Sequence, residues 1–315
     1  MDPWFFLFIS YLLKGESSMN PEQVTEYEKA KRLAEDSKWR DAAAIFLDLR
    51  NQIDNDELSL WTARSLYNSE QYKLAYQVAA QSPEAFKNNL KLLVEIGLKA
   101  QHFISTRAML LRQPQEKIEE LLPLIEAAEN QYEEKFKETV QNRLRSFYHL
   151  GDYPLAEQRK RLLVADQLPL QEFLIGAKFL LRDPFTQQFV KADILNILQQ
   201  VRCPENVTML CIDRKEHKII PADLPTAYQN PIIIECQEIL TDKLAQSDPQ
   251  ILRALQMQLD LQAILLNPLI EKIVTDPQEW VNVMYNRATT GEYSGENKDI
   301  IHCQQELNNL IDKLQ

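Results

Sequence analysis

Glycine is scarce, with six in 315 residues, about a third of ordinary usage. A chain so poor in it cannot furnish the tight turns of a large sheet protein. It also lacks GxGxxG, Walker and GxSxG loops, so glycine-cradled phosphate sites and the nucleophile elbow are excluded. The four cysteines, Cys203, Cys211, Cys236 and Cys303, form no CxxC pair, and none sits near a histidine at zinc-finger spacing. They read as free buried thiols of a reducing compartment. The four histidines, His102, His149, His217 and His302, make no HExxH. His302 and Cys303 are adjacent, which on a helix points their side chains about 100° apart, a poor dyad. Acidic pairs such as Glu119-Glu120 and Glu133-Glu134 fit solvated helix faces. With no nucleophile, metal or cofactor constellation, the expectation is a non-enzyme that needs no cofactor. A catalytic alternative would require a pocket near His217 or His302.

Long apolar runs are also missing. Trp4–Leu13 is apolar over about ten residues, half of the roughly twenty needed to span a bilayer. Asp2 stands where a secretion signal carries positive charge, and Ala-x-Ala-type cleavage chemistry is absent. Met19 opens Met-Asn-Pro-Glu, a natural start just before a helix. Residues 1–18 are therefore expected to be an upstream extension, with a short membrane-associating segment as the alternative. Without that segment, no membrane partner is expected. Thirty-five basic against forty-six acidic residues leave a net charge of −11, which works against non-specific nucleic-acid binding.

What the chain has is helix formers and an internal repeat. Ala30-x-x-Leu33…Trp39-x-x-Ala42 recurs 33 positions later as Ala63-x-x-Leu66…Tyr72-x-x-Ala75. The spacing returns in Leu144-x-x-Phe147…Tyr153-x-x-Ala156, with Gly151-Asp152-Tyr153 as the turn, and in degraded form in Val94-x-x-Gly97…Phe103-x-x-Thr106. In a helical hairpin the small residue lets the second helix approach. The aromatic then opens that second helix, and the alanine three positions on shares its face. One hairpin leaves an apolar face open, so neighbours must stack.

These residues resemble the tetratricopeptide repeat, over residues 20–165. The resemblance implies an all-α solenoid, a superhelix of helical hairpins whose first helices line a binding groove. Phe103 to Tyr153 spans 50 residues where about 34 are expected, so an extra helix is predicted over 115–128. The family geometry places groove positions at Val24, Tyr27, Lys31 and Ala34, then Glu57, Leu60, Arg64 and Tyr67. The third repeat contributes Asn88, Lys91, Glu95 and Leu98, and the fourth Glu138, Gln141, Arg145 and Tyr148. Lys31, Arg64, Lys91 and Arg145 bring positive charge to an acidic protein, and Tyr27, Tyr67 and Tyr148 add amphipathic contact surface. The expected partner is an acidic peptide or helix, or one bearing a C-terminal carboxylate. The carboxylate clamp of chaperone-binding relatives needs an asparagine-and-lysine set, and Lys31 and Tyr27 occupy its first asparagine and lysine positions. The expected role is a non-catalytic scaffold. The alternative is a regulator whose superhelix changes shape when a peptide binds.

Beyond Asp166 helices are predicted over 170–181 and 185–201, broken at Asp183-Pro184. A related phrase returns at an offset of 84, where Ile264-Leu265-Leu266-Asn267-Pro268 follows Leu180-Leu181-Arg182-Asp183-Pro184. Val207–Ile212 and Lys218–Ile220 flank a polar turn and read as a β-hairpin near 206–221. An amphipathic helix is expected from Lys298. The domains are thus 1–18, 19–165 and 166–315. The order of parts is similar to tetratricopeptide proteins of low-GC Gram-positive bacteria with a helix–hairpin–helix C-terminal region. That second resemblance is carried by Phe103-Ile104…Arg107-Ala108, Asp183-Pro184-Phe185, and Val207-Thr208…Pro221-Ala222-Asp223-Leu224-Pro225. It implies a cytoplasmic bacterial protein.

Overall fold

A computed structural model describes residues 19–245 and 248–312. The apolar run at Trp4–Leu13 and the expected upstream extension lie outside them. Among the described residues are sixteen α-helices and one two-stranded antiparallel sheet, so the chain is all-α with a single small hairpin. It divides into two compact units. Residues 19–137 form the first together with Asp166–Leu170, while Glu138–Ala165 and the chain from Gln171 onward form the second. The chain thus passes between the units at 137/138, at 165/166, where a boundary is expected from the sequence, and at 170/171, and the helices read as a fourth repeat belong to the second unit.

The first unit holds α1 (Pro21–Glu35), α2 (Trp39–Gln52), α3 (Asp56–Asn68), α4 (Tyr72–Gln81), α5 (Leu90–Lys99), α6 (Phe103–Leu110) and α7 (Gln115–Lys135). Each packs on the next. Asn20 and Gln23 close a capping box on α1, each side chain accepting from the other's backbone N–H at 2.9 Å, with Pro21 following as the first helical residue. Ala30, Ala42, Ala63 and Ala75 are all fully buried, the small contacts that close helix approach requires. Leu66 and Phe103 are buried as well, while Leu33, Trp39 and Tyr72 are half-buried.

The turns repeat too. Ser37, Glu70 and Gln101 follow α1, α3 and α5 with φ of 61°, 63° and 64°. After each, the next N–H reaches back five residues, Lys38 to Leu33 and Gln71 to Leu66 at 2.8 Å and His102 to Gly97 at 2.9 Å. This is the left-handed helix stop that glycine usually supplies. Here three other residues hold it, so a glycine-poor chain still turns its hairpins.

The third hairpin redistributes its bulk. Leu33 with Ala42, and Leu66 with Ala75, are large-and-small pairs; at the equivalent places stand Gly97 and Thr106. A Cβ at Gly97 would collide with Thr106 Oγ1 and meet Cβ and Cγ2 of the same residue at 3.1 Å. Gly97→Ala is accordingly expected to destabilise the protein by about 1–2 kcal/mol, overpacking outweighing the gain in helix propensity. Gly97→Ala with Thr106→Ala should be at least as stable as the parent. Thermal melts of the three proteins check this, and equal melting of Gly97→Ala and the parent would refute it.

In the second unit, α8 (Lys137–Tyr148) and α10 (Leu170–Arg182) lie there apart from their first residues. With them are α9 (Leu155–Ala165), α11 (Gln188–Gln200), β1 (Val207–Leu210), β2 (Glu216–Ile219), α12 (Pro231–Leu244), α13 (Pro249–Leu266), α14 (Ile270–Ile273), α15 (Pro277–Thr290) and α16 (Lys298–Asp312). Its main core gathers Leu240, Leu259, Leu266, Trp280, Met284 and Leu307. The helix breaks at Asp183-Pro184 and Asn267-Pro268 end α10 and α13. In the hairpin Val207 faces Ile219 and Leu210 faces Glu216. The second strand thus starts two residues before its expected position, because Cys211 N–H bonds Lys215 C=O and tightens the turn.

The fourth repeat is corrected in detail. Phe147 is buried, but its ring stacks on Phe173 at 5.3 Å and fills the space left by Gly176. Tyr153 and Ala156 are exposed instead of packing inward. A 3-10 turn over His149–Asp152 and then Pro154 delay the helix start to Leu155. The inward face of α9 is then Gln158, Leu162 and Ala165, with Gln158 Nε2 donating to Tyr153 C=O at 2.8 Å.

Candidate peptide-binding face

On the first unit, α1 and α3 set the side chains expected in a groove against one another. Tyr27 is buried, its ring edge-on to Phe46 at 5.7 Å, and its hydroxyl donates to Glu57 Oε1 at 2.6 Å. Burial, and then Glu57, push that phenol well above its ordinary pKa. Lys31 Nζ lies 5.3 Å from the Tyr27 ring and 5.7 Å from the Trp61 ring. The Arg64 guanidinium lies 5.3 Å from the same indole and donates to Asn89 Oδ1 at 3.1 Å. Trp61 therefore holds two cations. Among the described residues neither Lys31 nor Arg64 forms an ion pair.

Other positions separate. Tyr67 packs edge-on to Tyr72 at 5.7 Å, and burial followed by Glu95 raises its pKa. Leu60 and Leu98 are half-buried; Val24, Glu57, Asn88 and Lys91 are exposed. The cation contacts on Trp61 are those of Lys31 and Arg64, and Lys91 is not among them. Ala34, expected in the groove, is 1% exposed and belongs to the core of α1 and α2. Trp61 escaped the sequence reading, although it stands four residues after Glu57 and three before Arg64, on their helix face.

Gln141, Arg145 and Tyr148 belong to the second unit. Glu138, Gln141 and Arg145 are exposed, and Tyr148 meets Phe179 edge-on at 5.1 Å. The histidines have local partners. His102 Nδ1 meets Asp166 at 2.5 Å and stacks on Tyr76 at 3.8 Å. His217 meets Asp213 at 2.8 Å, while His149 and His302 are exposed beside Asp152 and Glu306. All four cysteines are free. Burial pushes the thiols of Cys211 and Cys236 up to about 12 and that of Cys303 to about 11, which keeps them protonated and weakly nucleophilic. Burial likewise lifts the Asp260 carboxyl to about 6. Among the described residues no three His, Cys, Asp or Glu side chains gather as a metal site, and no helix is long and apolar enough to cross a membrane.

Comparison with protein-family models, with curated proteins and with solved structures finds no match to this chain.

Proposed function

We propose that this protein is a non-catalytic binding scaffold of tetratricopeptide type, cytoplasmic and bacterial, whose first unit holds an acidic peptide on the face formed by α1 and α3. The observation that carries this is the pair of unpaired cations, Lys31 and Arg64, seated on Trp61. In a chain with eleven excess negative charges, two cations without carboxylate partners mark a place where a carboxylate can be supplied from outside. The indole fixes their positions and excludes water from one side, so the ion pairs formed there exceed the strength of freely solvated ones. Tyr67, half-buried one turn beyond Arg64 on α3, adds ring surface for the peptide's apolar groups. The threefold turn geometry and the buried alanines support hairpins stacked as in a superhelix.

Fluorescence anisotropy with a labelled twelve-residue peptide of alternating glutamate and leucine tests the assignment. Lys31→Glu with Arg64→Glu is expected to weaken binding at least tenfold, and rising salt to weaken the parent's binding. Unchanged affinity in the double variant would remove this face as the site.

A further inference from the structure

The β-hairpin of the second unit has one strand turned inward and one open edge. Beside its turn, Cys211 N–H bonds Lys215 C=O at 3.0 Å. With Leu210 facing Glu216 and Met209 facing His217, that bond fixes the alternation along the pair. Met209 with His217, and Val207 with Ile219, exchange backbone hydrogen bonds, so the N–H and C=O groups of Glu216 and Lys218 point away from β1. Among the described residues no hydrogen bond reaches these groups. β1 differs: Val207 and Met209 are buried, and the Leu210 carbonyl accepts from the buried Lys191 Nζ at 3.4 Å. Glu216 and Lys218 are exposed, which leaves the backbone of β2 open as a template for a further strand.

Charge decides which strand fits. Arg214 and Lys215 in the turn and Lys218 on β2 are exposed and form no ion pair among the described residues. The acidic side chains of the hairpin are already engaged, Glu216 with Arg182 at 3.1 Å, and Asp213 with His217 at 2.8 Å and Lys272 at 3.8 Å. The edge is therefore basic. A residue of an added strand stands with its Cβ about 5 Å from the residue it faces, so a glutamate there meets Lys218 directly, with Lys215 and Arg214 at the turn end. A second copy of β2 along the same edge would bring like charges together, the arrangement by which edge lysines oppose self-association.

We infer that the open edge of β2 takes up an extended acidic segment of a partner protein as a third strand of the hairpin sheet. Backbone hydrogen bonds to Glu216 and Lys218 attach it, and the unpaired cations select its charge. The inference rests on reading the chain as a binding protein, and its site shares no residue with the face around Trp61.

The test uses the full chain carrying Lys31→Glu with Arg64→Glu, so that the face around Trp61 is silent. The probe is a fluorescein-labelled eight-residue peptide of alternating valine and glutamate. It is expected to bind this chain and to slow hydrogen exchange at the Glu216 and Lys218 amides. A twin peptide with N-methyl groups on both edges of the strand keeps the charge but loses backbone donors, and should bind about tenfold more weakly. Adding Lys215→Glu with Lys218→Glu, at exposed positions that leave the melting temperature in place, should weaken the first peptide about tenfold. Binding by the parent but not by the Lys31/Arg64 variant would overturn the inference and leave the Trp61 face standing. Equal binding of the N-methylated twin, or unchanged exchange at Glu216 and Lys218, would overturn it too, since the peptide would then be held elsewhere or by charge alone.

Discussion

Arg107→Met is expected to lower the stability of the first unit by about 3–5 kcal/mol at neutral pH. Arg107 of α6 donates through Nη2 to Glu129 Oε2 of α7 at 2.8 Å, and both side chains are more than nine-tenths buried. Removing the guanidinium leaves a carboxylate in an apolar setting, and its desolvation dominates the cost. Burial already raises the Glu129 pKa against the opposing pull of Arg107. With a folded pKa above the unfolded one, the folded state holds the proton more tightly, and stability falls as pH rises through the folded value. Loss of Arg107 moves that value higher still, so the deficit should be smaller at pH 5 than at pH 8. Arg107→Met with Glu129→Leu should recover most of it, because apolar residues of similar volume remove the unpaired charge. Urea titrations followed by hydrogen exchange of α6 and α7 provide the measurement. A single variant as stable as the parent at pH 8 would show that Glu129 finds another partner or water.

Trp280→Ala is expected to cost the second unit about 3–5 kcal/mol. The ring is fully buried at the centre of the main core. Its indole N–H donates to Gln262 Oε1 at 3.0 Å, and its backbone carbonyl accepts from Gln304 Nε2 at 2.8 Å. One residue thus ties α15 to α13 and α16. Truncation opens a large cavity and also strands the buried Gln262 amide. Trp280→Phe keeps most of the volume and should cost less than half as much, the remainder being the lost hydrogen bond and the smaller ring. Chemical unfolding of both variants, read from hydrogen exchange of α13 and α16, distinguishes the contributions. Equal losses for Phe and Ala would assign the whole effect to the hydrogen bond.

The helical hairpins of the first unit were legible because their contacts are local. Ala30 and Ala42, or Ala63 and Ala75, lie on consecutive helices, and helical periodicity alone sets their faces. The fourth repeat was misread for the opposite reason. Gly151-Asp152-Tyr153 imitates the turn of a hairpin, but Phe147 is claimed by Phe173 and Gly176 of a later helix, and Gln158 takes the inward place assigned to Ala156. Lys31 and Arg64 could be found from groove positions counted along a helix. Trp61, which unites them, stands beside the counted positions, and Ala34 at a counted position is core. The pairing of Arg107 with Glu129 left no trace in the sequence, because two charges twenty-two residues apart follow no period that a single helix imposes.

One feature of the chain path governs how the protein can be made. The carboxylate of Asp166 accepts from the Ser105 N–H at 2.7 Å and the Ser105 hydroxyl at 2.6 Å, and its carbonyl accepts from Ile104 N–H at 3.3 Å. The start of α6 is thus capped by a residue that follows all of α8 and α9. During synthesis from the N-terminus, α6 emerges from the ribosome long before its cap. The first unit waits for some thirty residues of the second to be translated before its last contacts form. No single cut of the chain releases either unit whole.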